Sequence, residues 1–218
     1  MLANAVSNKK VIERKPMPKD KTESHLKLMA AAREEFLEKG YENASMRSIG
    51  SKAGLTAAGI YRHCKDKEDL FEQLVSPCYT RMNDWLAAHV KGYEDEVESA
   101  EKIEWKDSQI DMMREVVYPN MEDYYLLIAK SKGTKYENFL HDFTLACQNQ
   151  MLEYLPKLKD YGLNTKDIKP VELHLLLSAY NAALFEPVIH NYSLEEANEC
   201  LDMIEDFFLP GWKRIFGF

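Results

Sequence analysis

The chain has 218 residues, 45% of them hydrophobic and 29% charged, with a formal net charge of −8 at pH 7. Those proportions describe an ordinary globular protein and exclude collagenous, disordered and membrane-embedded classes. Its four cysteines (Cys64, Cys78, Cys147 and Cys200) lie far apart without CxxC spacing, which argues against a zinc ribbon or disulfide framework and for a reducing, cytoplasmic setting.

In chain order, residues 1–21 carry two prolines, six Lys or Arg and no sustained period. They read as a flexible basic arm, with neither the apolar stretch nor the cleavage site of an export signal. From 22 to 39, Leu26, Met29, Ala30, Phe36 and Leu37 fall on one helical face. Gly40 follows as an expected left-handed cap. Ser45 is placed to cap a short helix, MRSIGSKA, in which Met46, Ile49, Gly50 and Ala53 recur at helical spacing. Gly54 breaks that helix, and Thr56 can cap a second short one ending near Cys64. Asp66 can cap the next, in which Ser76-Pro77 predicts a kink or a restart.

The remainder reads as helix nearly throughout. Breaks are expected around 92–100, at Tyr118-Pro119, at 131–134, at 161–169 and at 191–193, with a long helix over 135–160 that bends at or tolerates Pro156. No strand is predicted. The most apolar run, LLLSAYNAALF at 175–185, is too short to span a bilayer.

Charge is distributed unevenly. Residues 1–70 hold 14 Lys+Arg against 10 Asp+Glu, and the rest holds 14 against 26. A basic front on an acidic body predicts that only the front meets a polyanion. That front contains a short helix, a turn through Gly54 and a second short helix, the order of a helix-turn-helix. In such a unit the second helix enters the DNA major groove. The small residues Ala57, Ala58 and Gly59 would let its backbone press close to the groove. Thr56, Tyr61 and His63 can bond phosphates, and Arg62 can pair with guanine or a phosphate.

The stretch SMRSIGSKAGLTAAGIYRHCKDKEDLF (45–71) resembles the DNA-binding domain of TetR/AcrR-type transcriptional regulators. The residues that carry the likeness are Ser45, Ile49-Gly50, Ala53-Gly54-Leu55-Thr56, Gly59-Ile60-Tyr61-Arg62-His63-Cys64 and Lys67-Glu68-Asp69-Leu70. The preceding AAREEFLEKGYENAS resembles the family's first helix and its Gly-Tyr exit. Two departures stand out: Gly50 replaces the usual Ala, and Cys64 replaces the usual aromatic. The resemblance implies a DNA-facing set of Ser45, Arg47, Thr56, Ala57, Ala58, Gly59, Tyr61, Arg62, His63 and Lys67. In it Tyr61, His63 and Lys67 act mainly on phosphates, while Arg47, Ala57, Ala58 and Arg62 read sequence.

The resemblance also implies a larger helical domain that binds a small effector and forms a homodimer. Residues 105–152 are rich in Met and aromatics, which suits an amphiphilic or aromatic ligand. Met112, Met113, Tyr124, Tyr125, Phe139 and Phe143, with His174 and Tyr180 from the apolar 170–190 helix, are the candidate effector residues. After a capping box at Ser193–Glu196, Leu194, Ala197, Leu201, Ile204, Phe208 and Ile215 form a heptad-like seam, interrupted by Pro210-Gly211, that is the candidate dimer interface. His141, His174, His190 and Cys147 match no metal-ligand spacing. No GxSxG, Walker or GxGxxG motif occurs, so no enzyme activity, cofactor or metal is expected.

The expected protein is all-α. Residues 1–21 form an arm, 22–72 the DNA-binding domain and 73–218 the effector-binding and dimerisation domain. Its partners are a double-stranded palindromic operator, a small-molecule effector and a second copy of itself, with no membrane. The alternative is a helix-turn-helix protein without a small ligand, regulated by a protein partner or by metal or thiol chemistry.

Overall fold

The computed structural model describes the backbone of residues 21–99 and 108–218, and side chains of 22–88 and 108–218. The basic arm expected over 1–21 lies outside the described residues apart from Lys21. Every regular element among the described residues is helical.

Helix α1 (Lys21–Asn43) buries Leu28, Ala31, Ala32 and Phe36 on one face. The helix breaks at Gly40, whose φ of 72° and ψ of 163° are open essentially to glycine alone. This is a main-chain break, not the left-handed cap expected. It turns the Tyr41 N–H onto the Lys130 carbonyl at 2.8 Å. Helix α2 (Met46–Ala53) is capped by Ser45, whose Oγ accepts from the Ser48 N–H at 3.1 Å, and ends at Gly54 in the left-handed conformation. Helix α3 spans only Ala57–Ile60, shorter than the sequence suggests. Residues 61–63 continue as turns, with the His63 N–H on the Ile60 carbonyl at 2.8 Å.

Helix α4 (Lys67–Ser99) begins at an Asp66 cap, whose Oδ1 accepts from the Asp69 N–H at 2.8 Å. It runs through Pro77 and on to Ser99, across most of the 92–100 stretch where a break was expected. Helix α5 (Ser108–Met112) leads through a π-helical turn (Met113–Val117) and a 3-10 turn (Tyr118–Asn120) into α6 (Met121–Ala129). Pro119 therefore changes the winding without ending the helical path. Helices α7 (Phe139–Asp160), α8 (Pro170–Ile189) and α9 (Leu194–Phe216) complete the chain. Pro210 lies inside α9 without interrupting it.

The core is continuous from the front into the larger helical body. Phe36, Ile49, Ile60, Leu70 and Phe71 bind α1 to α4 together, and Tyr124, Leu127, Phe143, Leu177 and Phe185 fill the space among α4, α6, α7 and α8. Two buried phenols fix the larger body: Tyr118 donates to the Leu184 carbonyl and Tyr124 to the Cys78 carbonyl, each at 3.0 Å. No described helix is long and apolar enough to cross a membrane.

Candidate nucleic-acid interface

Ile60 positions the reading element. It is buried beneath α3 and packs into the core with Ile49 and Leu70. Gly50 gives it room: a Cβ at position 50 would lie 2.6 Å from Ile60 Cδ1 and 3.3 Å from the Leu55 carbonyl oxygen. The glycine thus answers the isoleucine it faces. Thr56 caps α3 with its hydroxyl oxygen, accepting from the Gly59 N–H at 3.2 Å. The hydroxyl proton remains available to donate.

Seven of the ten predicted DNA-facing residues are exposed: Ser45, Arg47, Thr56, Ala57, Ala58, Tyr61 and Arg62. Tyr61 is 58% accessible. A helix of four residues carries little macrodipole, so anion contacts here fall mainly to side chains.

The other three sit differently. Gly59 is buried, and a Cβ there would meet Thr56 Oγ1 at 3.4 Å, Leu55 Cβ at 3.6 Å and an Arg62 guanidinium nitrogen at 3.8 Å. It lets Arg62 lie close to the helix; it does not face outward. His63 is half-buried, with Nε2 3.1 Å from Ser24 Oγ and its ring 5.5 Å from that of His25. It joins the turn to α1. Lys67 directs its ammonium onto the carbonyls of Tyr41, Glu42 and Ala44 at 2.7, 3.2 and 3.1 Å, and lies over the Tyr41 ring. Its ammonium is thus engaged at the end of α1 and not directed toward the exposed residues of α3.

Sequence reading missed the charge cluster behind the interface. Glu35 is fully buried, bonded by Lys39 at 2.8 Å and by the Ser48 hydroxyl at 2.8 Å, with Lys52 at 3.3 Å. Burial pushes its carboxyl up, but those three donors more than offset that and bring the pKa down to about 2. Lys52 also meets Glu34 and Glu38 at 2.7 and 3.3 Å, so it joins α2 to α1. Glu35 falls on the inward stripe of Leu28, Ala31, Ala32 and Phe36, which the expected face through Leu26, Met29, Ala30, Phe36 and Leu37 did not trace, Leu26 and Ala30 being exposed. Gln73 was missed as well; its amide donates to the His63 carbonyl at 3.2 Å.

The predicted effector residues do not share one set of partners. Met112, Met113 and Tyr124 are fully buried, and the Tyr124 phenol is held by α4. Phe139 and Phe143 stack with each other and meet Phe185 edge-on. Tyr180 turns toward Phe208 and Trp212 of α9. Tyr125 is half-buried beside Lys130, while His174 is half-buried with Nδ1 on Gln148 Oε1 at 2.8 Å.

The seam proposed for dimerisation is largely an inner face. Ala197 and Leu201 are fully buried within the subunit, Ile204, Phe208 and Ile215 pack against its core, and of the six only Leu194 is exposed. The most exposed large apolar residues of the two helices are Met203 (70%) and Phe207 (76%) on α9, and Val171 (71%) and Leu175 (70%) on α8. Both faces of α9 carry apolar residues, and the heptad count traced the one that packs within the subunit.

A sequence profile described as "Bacterial regulatory proteins, tetR family" matches residues 28–74. The chain is 23% identical over 185 residues to the HTH-type transcriptional repressor AcnR of Corynebacterium efficiens, covering 84% of this chain and 90% of that protein. It is 26% identical over 151 residues to an HTH-type transcriptional regulator of Staphylococcus aureus, covering 59% and 80%. Among solved structures, a chain from Mesorhizobium loti described as a TetR-family transcriptional regulator covers 88% of this chain and 98% of its own length, at 20% identity and a TM-score of 0.42.

Proposed function

We propose that this chain, a TetR-family DNA-binding transcriptional regulator, is a dimeric repressor that reads a palindromic operator and leaves it when a small effector binds. The observation that carries the DNA reading is the exposure of Arg47, Ala57, Ala58, Tyr61 and Arg62 around a helix locked from behind by Ile60. Arg62 and Arg47 read base edges, with the small side chains at 57 and 58 allowing close approach. Ser45, Thr56 and Tyr61 donate to phosphates and set register.

The dimer face we propose is Val171 and Leu175 of α8 with Met203 and Phe207 of α9. Each pair is spaced four residues apart, and the two helices pack side by side. Two copies meeting about a twofold axis would bury this face in a four-helix arrangement.

The effector reading draws support from Asn181. It is 1% accessible on α8; its Nδ2 donates to Thr144 Oγ1 at 3.0 Å, while its Oδ1 meets no donor among the described residues. A buried acceptor left unmade costs about 1–3 kcal/mol, and an effector's hydroxyl or amide N–H would recover it. Phe185 lies one turn further along α8, against Phe139 and Phe143, and offers aromatic walls to the rest of such a molecule. By linkage, DNA weakens the effector by the factor that the effector weakens DNA.

The test is selection of bound duplexes from a random pool, followed by footprinting. Two symmetric half-sites about one helical turn apart, or a multiple of that, are expected. Enrichment of no sequence, or protection of a single half-site by a monomer, would overturn the reading.

A further inference from the structure

Helices α7 and α8 pack side by side, and their contact brings two histidines together. His141 lies in the first turn of α7 and is exposed; His174 lies in the second turn of α8 and is half-buried. Their ring centroids are 5.9 Å apart, with the planes at 76°. A zinc-like ion holds an imidazole nitrogen at about 2.0–2.1 Å, so two imidazoles on one ion have centroids about 5–6 Å apart. Sequence spacing could not show this pairing, because the two residues stand on different helices.

The hydrogen bonds around His174 prepare one of its nitrogens for a metal. Gln148 donates through Nε2 to the Pro170 carbonyl at 3.2 Å, which fixes its amide and presents Oε1 to the histidine. That oxygen lies 2.8 Å from His174 Nδ1. Nδ1 therefore carries the proton and donates, and Nε2 keeps its lone pair. A metal-ligating histidine ordinarily gives its other N–H to an oxygen, which orients the ring and raises its basicity.

Imidazole ligands suit zinc, nickel and copper and do not suit magnesium or calcium. Among the described residues no group of three or more His, Cys, Asp or Glu is placed to hold a metal. Water then completes the coordination, and the ion stays exchangeable.

We propose that His141 and His174 form a two-histidine site for a divalent late transition metal, which staples α7 to α8. The site needs neither DNA nor a small organic effector.

The experiment uses full-length protein carrying isotope-labelled histidine, titrated with zinc chloride and, as a control, magnesium chloride. The ring nitrogens of His141 and His174 are expected to move together over one range of zinc concentration and to ignore magnesium. His141→Gln changes an exposed side chain; it should keep the metal-free melting temperature and weaken zinc at His174 by roughly tenfold or more. Gln148→Leu removes the oxygen that holds Nδ1–H and should weaken zinc by roughly 10–100-fold. Ring signals that stay still, that move at separate zinc concentrations or that follow magnesium equally would overturn the site. A His174 signal that follows zinc in His141→Gln as it does in the wild type would overturn the staple. Unaltered zinc affinity in Gln148→Leu would overturn the orientation assigned to His174.

Discussion

The ammonium of Lys67, in the first turn of α4, donates to the main-chain carbonyl of Tyr41 at the exit of α1, at 2.7 Å. It reaches the carbonyls of Glu42 and Ala44 as well. One charge thus satisfies several acceptors left over where α1 unwinds. Lys67→Met keeps the stem and removes the donors. It should destabilise the protein by about 2–3 kcal/mol, the range for hydrogen bonds to a charged group, read from urea denaturation. The slope of log affinity for DNA against log salt should not change, because the ammonium is held by main-chain carbonyls. A slope smaller by about one would return Lys67 to the backbone contacts.

Glu35 gives the front of the molecule an acid limit. Its carboxyl titrates near 4.3 in an unfolded chain and at about 2 in the folded one. A folded pKa below the unfolded one contributes stability above the unfolded value, which is lost as the pH falls through the folded one. Stability should therefore decline between about pH 4.5 and 2. Glu35→Gln should be less stable at pH 7 and should flatten that part of the curve. A wild-type curve and a Glu35→Gln curve that run parallel would show that the cluster is not what titrates.

Gly50 and Ile60 form a coupled pair. Gly50→Ala gains about 1 kcal/mol of helix propensity but drives a methyl into Ile60 Cδ1, and overpacking of this kind costs about 1–3 kcal/mol. The single change should be neutral to destabilising. Ile60→Val removes the obstructing carbon, and in that background Gly50→Ala should stabilise. A double-mutant cycle in urea measures the coupling, expected to exceed about 0.5 kcal/mol; simple additivity would mean that the side chain turns aside freely.

Arg62 and Tyr61 should separate reading from anchoring. Arg62→Ala is expected to relax preference at one base position by about 1–3 kcal/mol, seen by repeating the duplex selection. Tyr61→Phe should weaken all sequences alike, by about 0.5–1.5 kcal/mol. The reverse pattern would exchange the two roles.

Leu175→Glu with Phe207→Glu should give a folded monomer by light scattering, since both side chains are mostly outside the subunit core. The same variant should lose the two-half-site footprint. A persistent dimer would place the interface elsewhere on α8 and α9.

The helix-turn-helix was legible because its cues are local and mutually consistent: Ser45 and Thr56 as caps, Gly54 in the left-handed turn, and an apolar rhythm through Ile49 and Ile60. What could not be read was which polar groups are already occupied. Nothing in the local pattern tells that Lys67 reaches back 26 residues to Tyr41, or that His63 meets Ser24 across 39. The same limit applies to the apolar seam of α9, since periodicity locates a stripe and not the neighbour that covers it, and this stripe packs largely within the subunit. Proline misled in a different way. Pro119 and Pro210 both continue helical segments, because the missing N–H leaves one carbonyl without a donor and does not by itself stop the winding.

The break at Gly40 leaves the Tyr41 N–H on the carbonyl of Lys130, so one of the ties between the front of the molecule and the loop after α6 is made by backbone. Such a tie is invisible to side-chain substitution and travels with loop geometry. A chimera that grafts residues 21–74 onto a foreign effector body would keep every reading side chain and still lose this anchor, unless the recipient offers a carbonyl at the same place. Modularity in this chain therefore ends at residue 130 rather than at the end of the DNA-binding helices.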